Sequence, residues 1–193
     1  FELENELVRL REQSHVMNQK LADLKKIYIK GLLEMTINSI APDANSTIRF
    51  TSGPVKGYVP KDAVYYNPIS TLKGVIEKDS GEYPFHVPEK LKTLYQQKDF
   101  GKYLNPQIGD VPVCFLNTTN VSGGNSGSPA INANGEIIGC VFDMTYESVI
   151  GDYYIIPEYQ RVISVDINYV LFVTEKFMGA KYPVSPLGLM TVA

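Results

Sequence analysis

Residues 120–143 read NVSGGNSGSPAINANGEIIGCVFD. Ser126 stands in a run of glycines and small polar residues, and Pro129 closes that run. Two short apolar stretches follow, joined by "NANGE" (132–136), where Asn-Gly supplies the positive φ angles of a tight hairpin turn. The stretch therefore predicts a glycine-rich loop that runs directly into a β-hairpin. Its neighbours share that grammar. "DVPVCFL" (110–116) precedes it, and "DYYIIP" (152–157) and "QRVISV" (160–165) follow as short apolar or aromatic runs between Gly, Asn and Pro. Further upstream, "TIRFTSG" (47–53) and "VKGYVP" (55–60) also read as strands.

Helices bracket this β region. Leu3, Leu7, Leu10, Ser14, Met17, Leu21, Leu24 and Tyr28 recur at alternating spacings of four and three, which predicts a helix over 1–38. It is read as a coiled-coil partner or as one member of a bundle. "APDANST" (41–47) marks a loop, so the boundary falls near residue 41. "VPEKLKTLYQQKDFG" (87–101) is a short amphipathic helix that Gly101 could cap. "DINYVLFVTEKFMGA" (166–180) closes the chain as a helix, with Asp166 or Ser164 at its N-cap and Gly179 at its end. The fold class is mainly β with flanking helices, a Greek-key barrel or sandwich.

Composition narrows the function. Across 193 residues, 18 Lys and Arg face 21 Asp and Glu, giving a net charge of -3 and no basic block for nucleic acid. No apolar run approaches the ~20 residues that span a bilayer. The N-terminus, "FELENELVRLREQ", is charged throughout, is no signal peptide and lacks an initiator Met, so the chain is expected to begin partway into a longer protein. No Cys/His spacing suggests a metal, and no cofactor is implied. Cys114 and Cys140 both lie in apolar runs, as buried free thiols or, if those runs are neighbours, as a cross-strand disulfide.

The chemistry is concentrated in "SGGNSGSP". Acyl transfer needs a nucleophile whose backbone N–H, with that of the residue two earlier, faces the developing oxyanion. Gly124, Asn125 and Ser126 supply that triplet, and Gly127 leaves room above the serine. A serine hydroxyl is a weak nucleophile without a base. The chain has two histidines, His15 beside the helical seam and His86 in "PFHVPEKL", and neither is read as that base.

The string G-N-S-G-S-P, backed by its hairpin, resembles the nucleophile loop of chymotrypsin-like serine peptidases. The resemblance extends along the chain through "VKGY", "DAVYY", "VPEKL", "KDFG", "GGNSGSP", "GEIIG", "FDM", "GD", "YQR" and "VDINYVLF". In that order these resemble the bacterial dipeptidyl-peptidase 7 and 11 family, peptidase family S46, from about residue 41 to 180. The resemblance implies a chymotrypsin-like barrel over 41–193, with 1–40 a segment of the family's inserted helical domain. It implies a periplasmic or cell-surface homodimer that removes dipeptides from peptides with a free N-terminus. Its catalytic His and Asp would come from an upstream barrel outside this chain, so the chain alone should be inactive.

Carried over by residue, Ser126 is the nucleophile, and the Gly124 and Ser126 amides are the oxyanion donors. Phe142 is a pocket wall. Asp143 binds the substrate ammonium or simply turns the strand. Met144 faces the P1 side chain, where relatives carry glycine for hydrophobic or arginine for acidic P1 residues, or it is a core methionine. Asp152 reads as a turn residue. Thr145 and Tyr146 replace the family's Asn and Trp, and the tail "YPVSPLGLMTVA" departs from the family's charged ending. Two rival readings stand beside this one: a pseudo-peptidase barrel that binds peptides or dimerises, and an ordinary trypsin-like or HtrA-like endopeptidase.

Overall fold

The computed structural model describes residues 2–35, 46–152 and 154–181, with backbone only for Glu2 and Asp152. Two compact units divide between Arg49 and Phe50; the boundary read near residue 41, residues 36–38 of the first helix and the tail 182–193 lie outside the described residues. In the first unit, helix α1 (Glu2–Met35) is continuous. Leu7, Leu10, Met17, Leu21 and Leu24 of its seam are exposed, and ion pairs such as Arg9–Glu6 (2.7 Å) sit on its surface.

The second unit is built on two antiparallel sheets. β1 (Tyr58–Lys61) pairs with β2 (Val64–Tyr66). The larger sheet has β3 (Ile69–Thr71), β4 (Pro112–Asn117), β5 (Pro129–Ile131), β6 (Ile137–Met144) and β7 (Val162–Asp166), in spatial order β3-β4-β7-β6-β5. Three consecutive strands, β5 to β7, lie side by side, and the long connection from β4 lets β4 flank β7. That is Greek-key connectivity. Among the described residues the sheet stays open, with β3 and β5 as its edges, and does not close on itself.

One end of this sheet carries the apolar core. Helices α2 (Leu72–Glu77), α3 (Glu89–Gln96) and α4 (Ile167–Phe172) gather Leu72, Val87, Leu91, Phe100, Tyr103, Val111, Leu171 and Phe172 into one buried cluster. Phe172, fully buried, meets the edges of Phe100 (6.5 Å) and Tyr103 (6.2 Å). Such a side chain contributes about 1.5–3 kcal/mol through burial alone. α4 starts where expected: the Asp166 side chain accepts the Asn168 N–H as its N-cap, and a π-helical turn (Val173–Phe177) carries the chain on to Gly179, at φ +77°. Ser164 is not the cap; it is buried in β7, where Asn117 Nδ2 donates to it at 3.1 Å.

Other expectations fail for physical reasons. Residues 47–53 form no strand; only Val55 makes an isolated bridge, to Asn117, and Gly53 lies so close to Thr118 that a Cβ would sit 2.4 Å from its hydroxyl. "DYYIIP" is no strand either, among its described residues. Gln160 serves as the partner of that segment, donating to Tyr154 O (2.9 Å) and accepting from Ile156 N (3.0 Å). Gly101 does not cap α3, whose C-cap is Gln97; it opens a 3-10 turn, Gly101–Tyr103. The cysteines are free and cannot pair. Cys114 and Cys140 both face Val165 from opposite sides of β7, two strand spacings or roughly 9.5 Å apart. A disulfide needs Cα atoms within about 7 Å. Burial pushes the Cys114 thiol pKa up, which keeps it a thiol.

Candidate active site

The loop between β4 and β5 is tied down at both ends. At its start, Asn117 is buried, donates to Ser164, and accepts from the N–H and hydroxyl of Thr119. Next to these, Thr118 N donates to Pro54 O (3.1 Å) and Asn120 N to Thr51 Oγ1 (2.9 Å). At its end, Gly127 N donates to Val141 O and Val141 N to Ser128 O, both at 2.8 Å, extending the β5–β6 ladder. Between these anchors the loop folds on Asn125, whose side chain accepts from Ser122 N (2.9 Å).

The amides of this loop alternate in what they do. Asn125 N donates to Ser122 O and Gly127 N to Val141 O. Gly124 N and Ser126 N donate to no protein acceptor among the described residues. These are the two amides that the sequence assigned to an oxyanion. Gly124 (φ +96°) and Gly127 (φ +88°) hold backbone angles that other residues rarely adopt, so glycine is needed on both sides of Asn125 and Ser126.

A β-bulge sets the facing strand. Val141 pairs with Ser164 and Asp143 with Ile163, leaving Phe142 as the extra residue. Released from the ladder, the Phe142 carbonyl accepts the Ser126 hydroxyl at 3.4 Å, while its side chain is 60% exposed. Asp143 is exposed; its Oδ1 accepts the Met144 N–H (2.8 Å), and its second oxygen has no protein partner among the described residues. Ser126 and the Phe142 carbonyl are therefore brought together by one bulge, with Asp143 the next residue on the strand. Ser126 itself is exposed, and His86, the histidine of the same unit, does not hydrogen-bond to it. His86 sits in the loop that leads into α3, beside the core residue Val87.

Half-buried Met144 lines a cleft of about 20 Å³ shared with Asn120, Ser148, Gln160, Arg161 and Val162. Arg161, only 2% exposed, has each guanidinium nitrogen on backbone carbonyls: those of Lys56, Gly57, Pro157, Glu158 and Gln160. It also lies over the Tyr58 ring at 5.5 Å. Tyr58 donates to Glu147 at 2.6 Å, and burial together with that carboxylate pushes its pKa up to about 12, so it stays protonated. Thr145 and Ser148, both buried, hold the Arg161 main chain from the far side. The string "YQR" does not reveal this hub, because its partners lie up to 105 residues away, and Asn120, a lone Asn in a polar loop, carries no signal in sequence. The Asp152 side chain lies outside the described residues.

Comparison with known proteins agrees along almost the whole length. The family model described as Peptidase S46 matches residues 2–189. An Asp/Glu-specific dipeptidyl-peptidase of Flavobacterium psychrophilum is 49% identical over 176 residues, covering 90% of this chain and 24% of that protein. A dipeptidyl-peptidase 7 of Phocaeicola vulgatus is 52% identical over 169 residues, covering 86% and 23%. Among solved structures, Porphyromonas endodontalis DPP11 in complex with the dipeptide Arg-Asp superimposes with a TM-score of 0.80 at 44% identity, covering 86% of this chain and 24% of the other. The chain thus spans about a quarter of the length of these relatives.

Proposed function

Since the chain belongs to the peptidase S46 family, we propose that it supplies the nucleophile, the oxyanion donors and the P1 pocket of a serine dipeptidyl-peptidase. The observation that carries this reading is the pair of unpartnered amides, Gly124 and Ser126, flanking a committed one beside an exposed serine hydroxyl. Ser126 Oγ attacks the scissile carbonyl and passes its proton to a histidine outside these residues. The tetrahedral oxyanion sits against the two amides. The departing amine takes that proton, and water then hydrolyses the dipeptidyl ester. The free oxygen of Asp143 fits the substrate α-ammonium, a charge that needs an anionic partner away from water. Met144 offers the P1 side chain an apolar wall and no cation, and the Arg161 guanidinium of the same cleft is already committed to backbone carbonyls, which favours medium uncharged residues over acidic ones. That sets it apart from the relatives named for Asp/Glu specificity.

On this reading, residues 41–193 are the second, chymotrypsin-like barrel and 1–40 a segment of the helical domain. The protein acts in the periplasm or at the cell surface as a homodimer. The Greek-key connectivity of the larger sheet supports the barrel assignment. Ser126→Ala in the full-length protein tests the mechanism, with kcat on N-terminally free dipeptidyl amides expected to fall by at least about 10⁴. A second reading, a peptide-binding pseudo-peptidase, draws on the lack of a histidine at Ser126 among the described residues. It requires that Ser126→Ala change nothing while dipeptide binding persists.

A further inference from the structure

The cleft beside Met144 contains one polar side chain that the fold leaves unused. Thr119 Oγ1 donates to Asn117, and Ser148 Oγ is held by the Arg161 main chain and Thr145. Both ends of the Gln160 amide are bonded to the Tyr154–Ile156 segment. The Arg161 guanidinium is saturated by carbonyls. The Asn120 side chain has no protein partner among the described residues, although its backbone is fixed by Thr51. It also stands six residues before Ser126 in the same anchored loop and lines the cleft together with Met144.

We propose that Asn120 is a specificity-determining residue whose side-chain amide hydrogen-bonds the tip of the P1 side chain. The proposal rests on the reading of this cleft as the P1 pocket. About 20 Å³ is room for roughly one water-sized group beyond Met144, the tip of a side chain and not a ring. The matching P1 residue has an apolar stem for Met144 and an uncharged hydrogen-bonding tip for Asn120: Thr, Asn or Gln. An amide both donates and accepts, so it satisfies such a tip in either orientation. A carboxylate tip would find only donors already committed elsewhere and the uncharged Asn120.

The test compares near-isosteric P1 pairs, Thr with Val and Gln with Met, by kcat/KM on dipeptidyl amides in the full-length protein. Wild type should favour the polar member of each pair, and Asn120→Ala should cut that preference about tenfold, the scale of one solvent-accessible hydrogen bond. Asn120→Asp should raise turnover of Lys at P1 relative to Met. Because Asn120 is exposed, these variants keep the fold, which a thermal melt checks directly. Unchanged Thr/Val and Gln/Met ratios, with turnover still dependent on Ser126, would overturn the role of Asn120 and leave the nucleophile assignment standing. Turnover that survives Ser126→Ala would overturn that assignment instead. Should the protein hydrolyse nothing, calorimetric affinities for glycyl-glutamine and glycyl-methionine give the same ratio, and an Asn120→Ala variant that leaves it unchanged contradicts the proposal.

Discussion

The two ends of the large sheet are built on opposite terms. Under the helices, Leu72, Val111 and Phe172 have essentially no exposed surface, and Asp79–Lys92, Asp99–Lys176 and Tyr103–Glu175 pair around them. At the other end, Ser126, Phe142 and Asp143 face solvent, two amides lack acceptors among the described residues, and a bulge interrupts the ladder. The first end supplies stability through apolar burial. The second has unfilled hydrogen-bonding capacity, held in place by anchors at Asn117, Val141 and Arg161. A site that must bind charge developing during a reaction needs donors that the resting fold leaves open, and among the described residues the exposed end has two such amides.

Substitutions on either side of this contrast should separate stability from activity. The largest effect on stability is expected from Phe172→Ala, which empties a fully enclosed position and should cost about 3–5 kcal/mol by urea unfolding. The folded fraction should keep its kcat, and a selective loss of kcat would blur the division between the two ends. Next comes Gly124→Ala. A Cβ there meets nothing within 4 Å, so any damage comes from the φ of +96° and the displaced amide. Loss of one oxyanion donor should lower kcat by about 10²–10³, with a stability change of only ~1–3 kcal/mol. Smaller again is the effect of Met144. Met144→Gly should widen P1 acceptance towards Phe and Tyr, and Met144→Arg should raise relative use of Asp and Glu, each within the ~10–200-fold range of pocket fit. An unchanged P1 rank order in both variants would remove Met144 from the pocket.

The smallest effect belongs to the helical end. Asp79 binds Lys92 at 2.6 Å and accepts from Val87 N and Gly81 N, and these contacts lower its pKa from 3.8 to about 2. A carboxyl with a depressed folded pKa stabilises fully above its unfolded value and loses that contribution as pH falls from near 4 through about 2. Thermal melts from pH 5 to 2 should therefore show a steeper decline in wild type than in Asp79→Asn, and parallel curves would rule Asp79 out as a contributor.

The loop and hairpin at the exposed end were legible in the sequence because their geometry is local. Gly124, Ser126 and the following hairpin sit within one short stretch, and the conformations they need are written in glycines and an Asn-Gly turn. What was hidden depends on distant partners. α2 forms in "TLKGVIE", a poor helical sequence with Gly74, Val75 and Ile76, because Asp110 and Val111 accept its first two amides. The cysteine runs looked like possible neighbours until the Greek-key connection placed β7 between them. "DYYIIP" has strand composition, yet Gln160 takes up its hydrogen bonds before a strand can. Asn120 gained meaning only when every other polar group of its cleft was seen to be committed.

The central claim is that Ser126 is a nucleophile whose base lies outside these residues. A dipeptidyl phosphonate with a free N-terminus, followed by peptide mapping, tests it most directly on the full-length protein and on the 193-residue chain alone. The account predicts rapid modification of Ser126 in the full-length protein and none above the background hydrolysis time in the isolated chain. Equal labelling of both, or labelling of the full-length protein at a residue other than Ser126, would contradict it.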